Sequence, residues 1–119
     1  VLEDEAAVCR FAETGGAMIG YSVVRHHACA VPLPGGSSEL KQIYVLASAY
    51  GSGAGRKLFD DALAAIRNAR HRWVWLHVSD INHRAMAFYR KLRFERRGAG
   101  PVFEVGQDRL ASSLLVREA

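Results

Sequence analysis

Cysteine is scarce: Cys9 and Cys29 are the only two among 119 residues. Without Cys-x-x-Cys spacing they offer neither a zinc knuckle nor a disulfide framework, so reduced structural thiols are expected. No apolar run approaches the roughly 18 to 20 residues of a membrane span, and the first residues lack the basic-then-apolar layout of a signal peptide. A cytoplasmic location is the expectation. The chain opens on Val1 rather than Met, as a processed, trimmed or partial product would. Internal repeats and low-complexity segments are missing too. Hydrophobic residues make up 50% and charged residues 24%, as in a single soluble globular domain spanning residues 1–119. The net charge of +4 suits nucleic acid, an anionic cofactor or an acidic substrate equally well. No recognition-helix, RNP or zinc-finger pattern accompanies the basic cluster Arg90, Lys91, Arg93, Arg96 and Arg97, so nucleic-acid binding is not the expected main function. His26-His27 with Cys29 has metal-ligand chemistry, but a lone cluster in a loop does not make a site, and no metal is expected.

Residues 40–70 carry a stronger pattern. Residues 40–46, Leu-Lys-Gln-Ile-Tyr-Val-Leu, fit a largely buried strand. Leu58, Ala62, Ile66 with Ala65, and Ala69 recur at helical spacing, and Phe59 and Leu63 widen that stripe. Between them lies Tyr50-Gly51-Ser52-Gly53-Ala54-Gly55-Arg56. Glycines where a strand feeds a helix permit a tight turn and a close approach to the backbone. A helix N-terminus offers unpaired amides and partial positive charge, so a phosphate is the natural guest. Arg56 and Lys57 sit in that first turn, where they would favour a bound polyanion or else pair with Asp60 and Asp61. Two common phosphate motifs are excluded. A P-loop needs Gly-Lys-Ser/Thr, whereas Gly55 precedes Arg56-Lys57, and the third glycine of a dinucleotide fingerprint would fall on Arg56 or Leu58.

Upstream, residues 6–13 and 17–25 flank a glycine pair and read as an antiparallel hairpin, and the Pro- and Gly-punctuated stretch 26–38 reads as a loop. Downstream, residues 72–78 are apolar on both faces, as a covered strand would be. A strand, helix and strand in succession imply a right-handed crossover and parallel pairing, with ligands beyond the carboxyl ends of the strands. The next block, residues 79–94, reads as a helix whose packing stripe is Ile81, Ala85, Phe88 and Leu92, with Asp80 or Asn82 as cap. Asn82 and Tyr89 would then share a neighbouring face, about 10 Å apart. That face could line a cleft, or Asn82 could be only a cap and Tyr89 only an edge residue.

Together the two blocks resemble the GNAT superfamily of N-acetyltransferases. Tyr50-x-x-Gly53-x-Gly55 is similar to its acyl-CoA-binding loop, and Asn82, Ala85, Phe88, Tyr89, Lys91 and Phe94 match its second signature. The resemblance covers residues 39–98. It departs at Tyr50, where the family has Arg or Gln, and at Arg93, where it has a helix-ending glycine. The family's N-terminal strand and helices are largely missing ahead of residue 6.

The resemblance implies a mixed α+β fold, a twisted mixed sheet with helices on both faces, closed by a C-terminal hairpin over residues 101–116. It implies acetyl-CoA as co-substrate and an amine acceptor, with direct attack of the amine on the thioester. Ile43, Tyr44 and Val45 would pair with the pantetheine and polarise the carbonyl. Tyr50, Gly51, Ser52, Gly53, Ala54, Gly55 and Arg56 would hold the pyrophosphate, joined in the cofactor site by Asn82, Phe88 and Tyr89. Tyr89 would be the general acid, and Glu39 either the general base or a solvated strand-edge carboxylate. A homodimer is implied as well. The alternative is a non-catalytic module of the same fold that binds CoA or a partner protein.

Overall fold

The computed structural model describes residues 7–27, 29 and 31–119. They form two compact units, one running up to Val74 and taking in Ala119, the other Trp75–Glu118. Strands and helices are mixed, with two α-helices and eight strands among the described residues, so the expected α+β class is the observed one.

In the first unit, β1 (Ala7–Thr14), β2 (Ala17–Arg25) and β3 (Ser37–Val45) form an antiparallel meander. The expected hairpin is present. Gly15 and Gly16 turn it with φ of 57° and 82°, the paired positive values that a tight two-residue turn requires. β3 begins at Ser37, earlier than the apolar run indicated, because Ser37 and Ser38 are buried and paired despite their polarity. Helix α1 (Ala54–Asn68) packs on all three strands. Leu58, Phe59, Ala62, Leu63 and Ile66 are its buried face, as the periodicity predicts. Gly20 lets it approach, since a Cβ there would stand 2.5 Å from the Tyr44 carbonyl oxygen and 3.2 Å from Leu58.

The second unit takes β4 (Trp73–Ser79) from Trp75 onward, then α2 (His83–Lys91), β5 (Glu95–Ala99), the hairpin β6 (Phe103–Val105) and β7 (Asp108–Leu110), and β8 (Ser112–Glu118). Its strand order is β4-β8-β5, with β5 and β8 antiparallel. Leu114, Leu115 and Val116 are buried in succession, so β8 is covered on both faces. The tail is thus corrected. The hairpin over 101–116 is really β6–β7 alone, and β8 pairs instead with β5, whose Glu-Arg-Arg sequence reads as a charge cluster rather than a strand. The expected α2 stripe is also corrected. Ile81 precedes the helix and is 64% exposed, while Tyr89 and Leu92 are the buried positions.

Both helices end in the same way. The His71 amide donates to the Ile66 carbonyl and that of Arg70 to Arg67; in α2 the Phe94 amide donates to Tyr89 and that of Arg93 to Arg90. These are Schellman closures, which place one residue in the left-handed region. Here the residues are Arg70 (φ 62°) and Arg93 (φ 70°) instead of glycine. Arg93→Gly should therefore raise stability by about 1 kcal/mol, the left-handed strain less the extra freedom glycine gives the unfolded chain. A urea midpoint that does not rise would mean that Arg93 makes compensating contacts.

Candidate active site

The glycine turn is built by a 3-10 turn over Ala47–Ala49 that ends β3, followed by Tyr50, about half exposed. Gly51 and Gly53 have φ of 83° and 90°, and Gly53 is the N-cap of α1. A Cβ added at either would meet no atom within 4 Å, so the space over the turn is open. The Ala54 amide donates to Ser52 Oγ at 3.3 Å, and the first helical bond runs from the Lys57 amide to the Gly53 carbonyl. Helix geometry leaves the intervening Gly55 and Arg56 amides without intrahelical acceptors. No acidic residue stands in that first turn. Arg56 Nε donates to Asp60 Oδ1 at 3.1 Å, so of the two roles open to Arg56 the pairing along the helix is the observed one.

Strand β3 leads into this turn. Ile43 and Val45 are half-buried and Tyr44 is exposed, paired across the register with Ser22, Gly20 and Tyr21. The Tyr21 and Tyr44 rings lie 5.6 Å apart. A bulge at Val23/Val24 sets Gln42 and Leu40 opposite successive β2 residues and leaves Lys41 as the extra one.

Of the two readings of Glu39, the solvated strand-edge carboxylate is corrected: only 7% of it is exposed, and His27 Nε2 lies 2.6 Å from its Oε1. Beside it, fully buried Ser38 bridges two imidazoles through Oγ, at 2.8 Å from His26 Nδ1 and 2.7 Å from His71 Nδ1. One hydroxyl proton cannot serve both nitrogens, so at least one ring donates to Oγ. Burial, and then the neighbouring His71, hold the His26 pKa below its ordinary value. Sequence reasoning weighed His26-His27 only as metal ligands. What could have flagged His27 is its place just beyond Arg25, the residue that pairs with Glu39 in the β2–β3 register.

In the second unit, Asn82 is the N-cap of α2, its Oδ1 accepting from the Ala85 amide at 3.1 Å. Its φ and ψ of −86° and 75° are not helical, so Asn82 flanks the helix as its cap, one of the two roles open to it. Phe88 is half-buried and Tyr89 is 8% exposed. The Tyr89 ring packs edge-on against Phe88 and Phe94, with centroids 5.4 and 5.5 Å away. Burial pushes the Tyr89 pKa up to about 12. The candidates thus fall into two groups: Glu39, Ile43–Val45 and Tyr50–Arg56 in the first unit, and Asn82, Phe88 and Tyr89 in the second. Among the described residues no three His, Cys, Asp or Glu side chains converge as metal ligands, and no helix is long and apolar enough to cross a membrane.

Solved structures share this fold. Nourseothricin acetyltransferase superposes with a TM-score of 0.82 at 21% identity, over 97% of this chain and 66% of that one. A ribosomal-protein-alanine N-acetyltransferase from Brucella melitensis gives 0.75 at 23%, over 93% and 68%. A GNAT family acetyltransferase from Elizabethkingia anophelis, with acetyl-CoA bound, gives 0.74 at 16%, over 96% and 77%. Among curated proteins, an uncharacterized N-acetyltransferase of Mycobacterium bovis is 34% identical over 80 residues, 67% of this chain and 51% of the relative. The chain therefore spans about half the length of the curated relatives it matches. The profile of the Acetyltransferase (GNAT) family matches residues 2–94, and a match over that much of the sequence makes this chain a member of the GNAT acetyltransferase family.

Proposed function

We propose that this domain binds acetyl-CoA and transfers its acetyl group to an amine of a small molecule or peptide by direct attack. The observation that carries the reading is the open turn at Gly51 and Gly53, seated on the N-terminus of α1 and fed directly by β3. An anion there meets the Gly55 and Arg56 amides, the positive end of the helix dipole and no opposing carboxylate within the first turn. The pyrophosphate fits that description, and the acetyl-CoA held by the Elizabethkingia relative supports it.

From the turn, the pantetheine arm runs back along Ile43–Val45, whose main-chain groups pair with it and polarise the thioester carbonyl. Glu39 serves the general-base side of the reaction, and Tyr89 the acid side. Tyr89 stays protonated through the neutral range and so keeps a proton to give the leaving thiolate. With Arg56 held by Asp60, backbone amides carry most of the pyrophosphate contact.

Thermal unfolding with and without acetyl-CoA tests binding. A ligand held only by the native state should stabilise by about 2.7 kcal/mol at a hundredfold excess over its Kd. CoA should act comparably and adenosine little. No shift at millimolar acetyl-CoA removes the reading. A shift without CoA release across a panel of amines leaves a binding module in place of an enzyme.

A further inference from the structure

Strand β3 changes character at Lys41. Residues 37–40 are all buried, and residues 41–45 are each exposed or half-buried. The bulge falls at the same place: Gln42 and Leu40 pair with Val23 and Val24, successive residues of β2, and Lys41 stands opposite neither. Bulges re-aim side chains. Here Lys41 and Gln42 are exposed in succession, where a regular strand with one covered face would alternate. The Lys41 ammonium is also unengaged among the described residues. Glu39, the nearest acid along the strand, is held by His27 Nε2 at 2.6 Å, and no described carboxylate forms an ion pair with Lys41.

This change limits where a ligand can run. An arm laid back from the glycine turn along β3 meets open strand from Val45 to Lys41 and covered strand beyond it. Lys41 thus stands at the inner end of the open stretch. It is two residues, or about 7 Å of strand, from Ile43, where the segment that polarises the thioester begins. A flexible four-carbon stem carries its amine across that gap. The chain has two other lysines. Lys57 lies in the first turn of α1, at the pyrophosphate end, and Lys91 is the last residue of α2, in the second unit.

On the acetyl-CoA reading above, we infer that Lys41 is a self-acetylation site, taking an acetyl group from acetyl-CoA bound to its own chain. The Lys41 ammonium first gives a proton to water. Its freed lone pair attacks the thioester carbonyl, the N–C bond forms and the C–S bond breaks. The nitrogen loses a second proton as the thiolate takes one up, which leaves acetyl-lysine and CoA and releases one proton per event. The positive charge at the inner end of the open strand is lost with it.

The test uses the whole chain with acetyl-CoA and no acceptor, read by intact mass and peptide mapping. One acetyl group per chain should appear, on Lys41, at a rate that saturates in acetyl-CoA and does not depend on protein concentration. A short flexible tether gives the amine an effective concentration of about 1 mM or more at the thioester, so Lys41 should be modified roughly 10-fold or more faster than Lys57 or Lys91. Lys41→Arg keeps the charge and should lose the mark while keeping the melting shift with acetyl-CoA. Gly53→Val, at acetyl-CoA below saturation, should slow the mark in proportion to the affinity it loses. Acetylation that is equal on all three lysines and linear in acetyl-CoA, as in the urea-unfolded chain, would be solution chemistry and would overturn the inference. A rate that climbs with protein concentration would overturn it too, since that is transfer between chains. If Lys41 stays unmarked in a chain that melts higher with acetyl-CoA, the inference fails and the acetyl-CoA reading stands. No melting shift removes that reading, and the self-acetylation site with it.

Discussion

Gly53→Val should weaken acetyl-CoA binding by roughly 100-fold, the loss of one charge-assisted hydrogen bond of about 1.5 to 3 kcal/mol. Gly53 caps α1 with φ at 90°, a region that a β-branched residue enters only with strain. A valine there either drags the turn out of shape, moving the first-turn amides, or keeps the shape and fills the open space above it. Both routes act on the same anion. The fold feels the change less: no protein atom lies within 4 Å of the new Cβ, so the cost is backbone strain of about 1 to 2 kcal/mol without a clash. Arg56→Ala should be milder, within a few-fold, since that guanidinium is engaged with Asp60 in an exposed pair. Calorimetric titration well below the melting temperature separates affinity from folding. Equal affinity in wild type and Gly53→Val would move the anion site away from this turn.

Much of this was legible because periodicity and backbone chemistry agree along residues 40–70. The α1 stripe, the glycine turn at its start and the strand before it are each dictated by neighbours in sequence, so local rules suffice. What escaped were features set by partners far along the chain. Glu39 reads as a surface carboxylate until β2 and β3 are in register and His27 is brought beside it. Ser37 and Ser38 look like loop because nothing local announces that Ser38 Oγ will lie between His26 and His71. In α2 the miss lay at the start of the stripe. Ile81 was counted into the helix, but the cap bond from the Ala85 amide to Asn82, one of the two expected caps, starts it later. Ile81 therefore drops out of the stripe, while Leu92 keeps its place there and Tyr89 is buried with it. Strand β5 was hidden by its Glu-Arg-Arg sequence, since its place comes from pairing with β8 rather than from its own composition.

The burial of Tyr89 sharpens what Tyr89→Phe should do. Tyr89 is a core residue by burial, with its ring held between Phe88 and Phe94, and phenylalanine keeps that ring. The substitution should therefore move Tm by no more than a few degrees. What it removes is a hydroxyl that burial keeps protonated, its pKa raised from 10.0 to about 12. The leaving thiolate has an ordinary pKa of about 8.5, so protonating it near neutral pH helps only moderately. General acid catalysis spans roughly 10²- to 10⁴-fold, and the lower end is expected here: kcat down about 100-fold, with the KM for acetyl-CoA within a few-fold. Stability at high pH gives a second readout. Because the folded state resists ionising Tyr89, the wild type should hold its full stability below pH 10 and lose some as pH climbs towards about 12. In Tyr89→Phe that alkaline loss should shrink, whatever happens to the rate. A smaller alkaline loss together with an undiminished kcat, chemistry being rate-limiting, would make Tyr89 a packing residue and hand the proton to water or another group. A hundredfold fall in kcat with Tm intact would make its hydroxyl the acid.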